Sequence, residues 1–571
     1  MASVYKKVIN GKPYYYLREM AWVDGKPKLA SERYLGTATE IEALLDAREQ
    51  AMVPERTRHL AFGDVAAAWG LLRRLNVAGI IDEMLGTRRA DAGLSVGAYL
   101  ALAALNRVVA PCSKLAFAQW WRTTAADRFT KISAKTLDHR RFWDAMHAVE
   151  VEQLAEIEQA LAVQIIGEFG VDVSSLALDM TNFATFIDSA NPKAPIAQRG
   201  KAKQKRTDLR LVGLGLVVSR DGGIPLVSHA YAGNKPDVTQ FTTVIDKLRA
   251  SHAAVAEFAG TAIAAEMTEM TVVFDAGQNS RANFDHLAES ELHYIGSVPP
   301  SDVPDLLALP KKRRRIVDAD RFGGLTALQT RRVIYGTERR VMLTHSPTLH
   351  AKQQAGFDQT LAKATRLLTE LADTLARGKT RRPRSTVERE IETICHDSWV
   401  KRVLNWQLTG DTPPKHRLRF TINDTARAEL EAEIFGKRVL ITSREDWPVA
   451  EVVAGYRSQS DAEFSFRQLK DRHVVSFSPM HHWTDHNIRV HLFTCVLALQ
   501  LAHLMRRTAR HAGLNYSVRE LLTQLRGIEE SVLIYPSTGG RPKARRMLTE
   551  TTPEQDQLAT IFNLNHYAPP A

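Results

Sequence analysis

Between residues 174 and 298 the hydrophobic period switches back and forth in a single order, which limits the folds open to this chain more than any other feature. Alternating or continuous apolar runs rich in β-branched residues mark strands at SSLALDMTNFATFI, LRLVGLGLVVSRD and IPLVSHAYA, the last two joined by a turn at Gly222-Gly223. A helix at DVTQFTTVIDKLRA, a strand at MTVVFDA, a helix at RANFDHLAES and a strand at LHYIGSV follow. Three strands, a helix, a strand, a helix and a strand is the order of a ribonuclease H-like mixed sheet flanked by helices.

The rest of the chain divides around that stretch into a multidomain α/β organisation. Residues 1–50 read as a small β-sheet module, with turns at Asn10-Gly11 and Asp24-Gly25 between aromatic, basic strands. Residues 58–168 show apolar spacings of three and four, as in VAAAWGLLRRLNVAGIIDEML, and are expected to be a helical DNA-binding domain. The first part of the catalytic core is assigned to 172–300. An α+β insertion is expected over 301–437, with a basic run at Lys311 to Arg315, a hairpin RRVIYG/RRVMLTHS and a long amphipathic helix near 349–377. The second part of the core, 438–510, holds strand KRVLITS, a helical stretch from Pro448 to Lys470 and the apolar helix IRVHLFTCVLALQLAHLMRR; a C-terminal helical segment and tail fill 511–571.

Two aspartates stand where the pattern would not put them. Asp179 interrupts an apolar strand, where an unpaired carboxylate costs several kcal/mol to bury. Asp275 ends strand TVVFD, and strands one and four of this topology are neighbours, so both carboxylates reach one edge of the sheet. Carboxylates held together repel unless cations lie between them, and hard oxygen ligands suit Mg²⁺. Glu463, in YRSQSDAEFSFRQLK, is the third acidic candidate; Tyr456, Glu463 and Lys470 lie seven residues apart, on one face of a continuous helix. Ser460-x-x-Glu463 also matches a capping box, which would break that helix and reduce Glu463 to a satisfier of backbone donors. The formal charge of +12 favours polyanionic partners. Three dispersed cysteines support neither a disulfide framework nor a cysteine zinc site, and a polar, basic N-terminus without an apolar signal core leads to the expectation of a cytoplasmic protein.

The segments LALDMTNFATFI, GLGLVVSRDGGIPLVSHAYAGNKPDVTQF, TVVFDAGQNSRANFDHL and AGYRSQSDAEFSFRQLKD resemble the blocks of bacterial insertion-sequence DDE transposases with a Tyr-x2-Arg-x3-Glu-x6-Lys signature, over roughly 170 to 510. Tyr456, Glu463 and Lys470 fill three of the four signature positions; Gln459 stands at the arginine position, with Arg457 two residues earlier. The resemblance implies cut-and-paste transposition at terminal inverted repeats, with two Mg²⁺, replaceable by Mn²⁺, held by catalytic Asp179, Asp275 and Glu463. It implies DNA contacts from Tyr456, Arg457, Gln459 and Lys470, double-stranded transposon ends and target DNA as partners, a homodimer in the DNA complex, a nucleoid-associated location, and neither membrane nor nucleotide cofactor. A ribonuclease H-like nuclease without strand transfer and an inactive, transposase-derived DNA-binding protein remain the alternatives.

Other motifs are set aside. Gly93-Leu94-Ser95-Val96-Gly97 fits GxSxG but lacks the preceding strand, so Ser95 is expected to cap a helix. Gly378-Lys379-Thr380 lacks the glycine a phosphate loop needs, and His481, His482 and His486 have no HExxH or cysteine partner.

Overall fold

The computed structural model describes residues 2–23, 25–86, 93–201, 208–267, 270–379, 381–536 and 543–570; Asp24, Thr380 and tail residues 537–542 lie outside them. Strands β1 (Ala2–Ile9), β2 (Lys12–Val23) and β3 (Lys26–Gly36) form an antiparallel three-stranded sheet in that order. Asn10 and Gly11 take positive φ, 46° and 75°, as a two-residue hairpin turn with the twist of its strands requires. After α1 (Ala38–Met52) and β4 (Arg56–Ala61) come α2 (Gly63–Arg74), α3 (Val77–Leu85), α4 (Val96–Val109), α5 (Lys114–Trp121), α6 (Ala126–Thr130), α7 (His139–His147) and α8 (Val151–Phe169). The first long apolar period is broken where Asn76 turns left-handed, separating α2 from α3. Ser95 caps α4 by accepting a hydrogen bond from the Ala98 amide.

Strands β5 (Ser175–Thr185), β6 (Arg210–Ser219) and β7 (Pro225–Ala232), helix α9 (Phe241–Met267), strand β8 (Thr271–Phe274), helix α10 (Arg281–Glu289) and strand β9 (His293–Val298) follow the order read from the periodicity. Between β6 and β7, Gly222 and Gly223 both take positive φ, a turn that other residues would strain. Next come α11 (Pro304–Leu307), β10 (Arg315–Ile316), β11 (Thr326–Ile334), β12 (Thr337–His345), α12 (Pro347–Ala376), α13 (Arg384–Ile394), α14 (Ser398–Val403), β13 (Leu404–Thr409), β14 (Arg417–Ile422), α15 (Asp424–Ile434) and β15 (Lys437–Thr442). The chain continues through α16 (Val449–Arg457), α17 (Gln459–Lys470), α18 (Asp485–His511), α19 (Val518–Arg526), β16 (Glu529–Ile534), β17 (Ala544–Leu548) and α20 (Pro553–Ile561).

Nine strands form one mixed sheet in the order β10-β11-β12-β15-β9-β8-β5-β6-β7. Strand β8 runs parallel to both β5 and β9, and the other pairings are antiparallel. Sheet and flanking helices are compatible with a ribonuclease H-like fold. Every residue of β6 is buried, as expected of a strand covered on both faces. On one face Phe274 packs against Phe241 of α9 and Phe284 of α10; on the other, Val273 and Ile295 pack with Val452, Val453 and Tyr456 of α16.

Residues 301–437, read from sequence as one insertion, divide in two. Strands β10 to β12 extend the main sheet through β15, whereas 347–435 builds a separate core in which Phe357, Leu361 and Leu368 of α12 meet Val387, Ile391 and Leu430. The tail also differs from a simple helical end: β16 lies between β17 and β4 in a three-stranded sheet, which joins residues 529–548 to the start of the helical region.

Helix α18 is long and apolar enough to cross a membrane by length and composition, yet its apolar residues are almost all buried, against α2, α4 and β7 among others. This burial carries titratable cargo. Fully buried His503 meets the Gly223 carbonyl at 2.6 Å, and burial holds its pKa down to about 4 from 6.5. Between those values the unfolded chain binds the extra proton, so stability falls as pH drops from about 6.5 toward 4. Lowering the pH from about 7 to about 5 is expected to remove roughly 1–2 kcal/mol through His503. Urea midpoints at the two pH values check this, and an unchanged midpoint would count against a neutral buried imidazole.

Candidate active site

The parallel pairing of β5 with β8 aligns Ser175 with Thr271 and ends at Leu178 with Phe274. The next residues are Asp179 and Asp275, and both backbones are still extended there. In-register residues of parallel neighbours point to the same face, about 4.8 Å apart. Asp179, inside β5, and Asp275, just past the end of β8, therefore leave neighbouring strands on one face.

The face is fixed by independent contacts. From α16 the Tyr456 hydroxyl donates to Asp275 Oδ1 at 3.1 Å. Ser297, at the end of neighbouring β9, donates to the same oxygen at 2.9 Å, and the Ala276 amide does so at 2.8 Å. All three bonds fall on Oδ1, so Oδ2 keeps its lone pairs for a ligand. Burial, together with the Asp275 charge, pushes the Tyr456 phenol up to about 12, which keeps it a hydrogen-bond donor. Asp179 Oδ1 accepts from the Met180 amide at 2.7 Å, and the Asp179 charge helps raise the pKa of Tyr231, which burial and Asp237 raise more.

Helix α17 lies against β5. Near its start Gln459 Nε2 donates to the Leu178 carbonyl at 2.9 Å, and at its end Lys470 Nζ donates to Thr181 Oγ1 at 2.9 Å. These two pins bracket Asp179 along the strand. Glu463 follows Gln459 by four residues and precedes Lys470 by seven, so at 100° per residue it lies within about 40° of both around the helix axis. Its side chain is exposed and, among the described residues, makes no hydrogen bond or ion pair.

Several expectations change in detail. The helix from Pro448 to Lys470 is not continuous: Ser458 interrupts it, with its hydroxyl on the Gly455 carbonyl at 2.6 Å and its own carbonyl taken by the Asp461 amide. The break lets α16 follow β8 and β9 while α17 follows β5, so Tyr456 serves Asp275 and is not stacked in line with Glu463 and Lys470. Nor is Glu463 part of a capping box, because α17 begins at Gln459 and the Ser460 hydroxyl donates to the Arg457 carbonyl. Gln459, expected among the DNA contacts, is buried and spends its amide on the strand; its Oε1 has no partner among the described residues. Arg457, also expected at DNA, is exposed and stacks 4.5 Å over the Phe322 ring, beside the added strands. Lys470 is exposed beside β5.

Sequence reading missed Ser297 and Thr181. Each is a polar residue in an apolar strand, Thr181 two positions beyond Asp179 on the same face and Ser297 at the end of the strand beside Asp275. That placement was the available signal.

Asp179, Asp275 and Glu463 offer only carboxylate oxygens, a donor set that fits Mg²⁺ or Mn²⁺ better than a softer metal. Among the described residues no three His, Cys, Asp or Glu side chains are already gathered closely enough to hold an ion.

Neither a family model nor a curated protein sequence matches the chain. Among solved structures it is similar to the piggyBac transposase in a synaptic complex with hairpin DNA, with a TM-score of 0.37 and 8% identity over 83% of this chain and 82% of that one.

Proposed function

We propose that the chain is a DDE-type DNA transposase of the bacterial insertion-sequence kind, which cuts DNA at the ends of its element and joins the freed 3′ ends to a target. The observation that carries this reading is that Asp179, inside β5, and Asp275, just past the end of β8, each follow the last paired residues of two parallel neighbours, beneath a helix that holds Glu463 and Lys470 on the same side. Two carboxylates on neighbouring strands, with no cationic side chain among the described residues bonded to Asp275, make a site for divalent cations. Two such ions, when bound, supply Lewis-acid activation of the attacking oxygen and stabilisation of the leaving 3′ oxygen.

The chain's own groups do the positioning. Ser297, Tyr456 and the Ala276 amide lock one oxygen of Asp275, which orients the other. Lys470, held at Thr181, offers its ammonium to a backbone phosphate beside the carboxylates. Gln459 fixes the start of α17 against the strand, so that Glu463 approaches from one direction. Because two DNA ends must be joined, the working form is a homodimer or larger assembly.

The test uses duplexes carrying the DNA that flanks the gene, where terminal inverted repeats are expected. With Mg²⁺ the wild type should join pre-cleaved 3′-OH ends to a target plasmid. Cleavage without joining would replace this reading with a nuclease; binding with neither reaction would leave an inactive transposase-derived protein.

A further inference from the structure

A second concave site lies away from the carboxylates, between α5, α7 and the start of α18. It encloses about 510 Å³, and no aspartate or glutamate lines it. Its walls carry Arg107, Lys114, His139, His147 and His482, together with the rings of Trp143 and Trp483. Both tryptophans are exposed, at 42% and 65%, an unusual outlay of aromatic surface unless something covers it.

The cations are not equivalent. Arg107 spends its guanidinium on the carbonyls of Ser476 and Pro479, at 3.1 and 2.9 Å, and so braces the wall. Lys114 has no ion pair or hydrogen bond among the described residues and sits 5.2 Å from the centroid of the Phe142 ring. Burial, helped by the Arg107 charge, pushes the Lys114 amine down to about 7, and burial with the same two cations holds His482 down to about 3. The Arg107 charge, and a Lys114 amine that an approaching phosphate would hold protonated, with no aspartate or glutamate among the described lining residues, make the cavity complementary to an anion, and the exposed indole rings add a stacking surface.

We propose that this cavity is a nucleotide-binding site, in which an unpaired base stacks on Trp143 and Trp483 while its phosphate pairs with Lys114. Stacking on aromatic rings and phosphate contact with a cation are the two means by which single strands are held without sequence preference. A line of ring contacts ties the cavity to the face bearing the carboxylates. Lys470 lies 5.4 Å from the Phe183 centroid, Phe183 and Phe477 are 4.7 Å apart, Phe477 and His491 5.4 Å, and His491 and His482 5.3 Å. The cavity chemistry requires only a nucleotide; naming a DNA strand, and not a free nucleotide, as its source rests on the function proposed above.

The experiment measures quenching of tryptophan fluorescence in the full chain by a ten-nucleotide single-stranded oligodeoxynucleotide, by thymidine monophosphate and by inorganic phosphate. Lys114→Gln and Trp483→Ala are each expected to weaken oligonucleotide binding about tenfold, the scale of one base stack or phosphate contact. Trp483 is exposed, so its removal should leave the fold intact, and a thermal melt verifies this. Tighter binding of the oligonucleotide than of the monophosphate supports a strand as the source; equal binding supports a free nucleotide. Wild-type affinity in both variants overturns the proposal, as does inorganic phosphate competing as well as the monophosphate. Quenching by thymidine monophosphate needs neither metal nor cleavage, so failure of the DNA-cutting reading and failure of this site are told apart.

Discussion

Asp179→Asn and Asp275→Asn are each expected to lower Mg²⁺-dependent DNA cleavage on the order of 10³-fold or more, at Asp275 with little change in stability. Metal-borne charge stabilisation is worth several kcal/mol, and each 1.4 kcal/mol is about tenfold in rate. Asparagine keeps the shape and one acceptor oxygen, so at Asp275 the bonds from Ser297, Tyr456 and the Ala276 amide survive. At Asp179 the Met180 amide keeps its acceptor. At Asp275 what disappears is the negative charge, and with it the repulsion from the neighbouring carboxylate, so the melting temperature of that variant should hold or rise slightly. Gel analysis of end cleavage, with a thermal melt on the same samples, checks both halves. Full cleavage by either variant would remove that aspartate from the active site.

That pair was legible in the sequence because each aspartate breaks a local rule, one inside an apolar strand and one at the end of TVVFD. That they converge at one edge of the sheet was inferred from topology alone, since periodicity reports which face a residue takes and not which partner it meets. The same limit explains what was not legible. Strands β11 and β12 look like an ordinary hairpin, and only the pairing of Arg340 to His345 with Lys437 to Thr442, almost a hundred residues away, adds them to the main sheet. The seven-residue spacing of Tyr456, Glu463 and Lys470 assumed an unbroken helix, and the capping-box match pointed to a break at Ser460, two residues beyond the turn at Ser458. Gln459 illustrates the gap most clearly: its role depends on where the Leu178 carbonyl lies, and a signature position carries no such information.

The tail is the other place where long-range pairing decides the architecture, and there a single carboxylate is expected to matter most for stability. Glu530, on the central strand of the β17-β16-β4 sheet, is fully buried and takes bonds from Arg128 at 2.6 and 2.8 Å and from Arg546 at 2.5 Å. Arg128 also donates to the carbonyls of Tyr567 and Ala568, so one guanidinium ties α6, β16 and the C-terminal turn. Glu530→Ala would leave two guanidinium groups facing each other with no counter-charge, and breaking a buried pair from one side costs about 3–5 kcal/mol. Removing the Arg128 charge as well is different: Arg128→Met with Glu530→Leu should recover more than half of that loss, because the desolvation penalty goes with the pair and the Arg546 side chain, 36% exposed, can turn to water. Guanidinium unfolding followed by tail proteolysis distinguishes the cases, with the tail cleaved early in Glu530→Ala and late in the double variant. A single variant that unfolds within about 1 kcal/mol of the wild type would mean that apolar packing of Val532, Leu558 and Leu564, rather than this charge cluster, fastens the tail to the helical region.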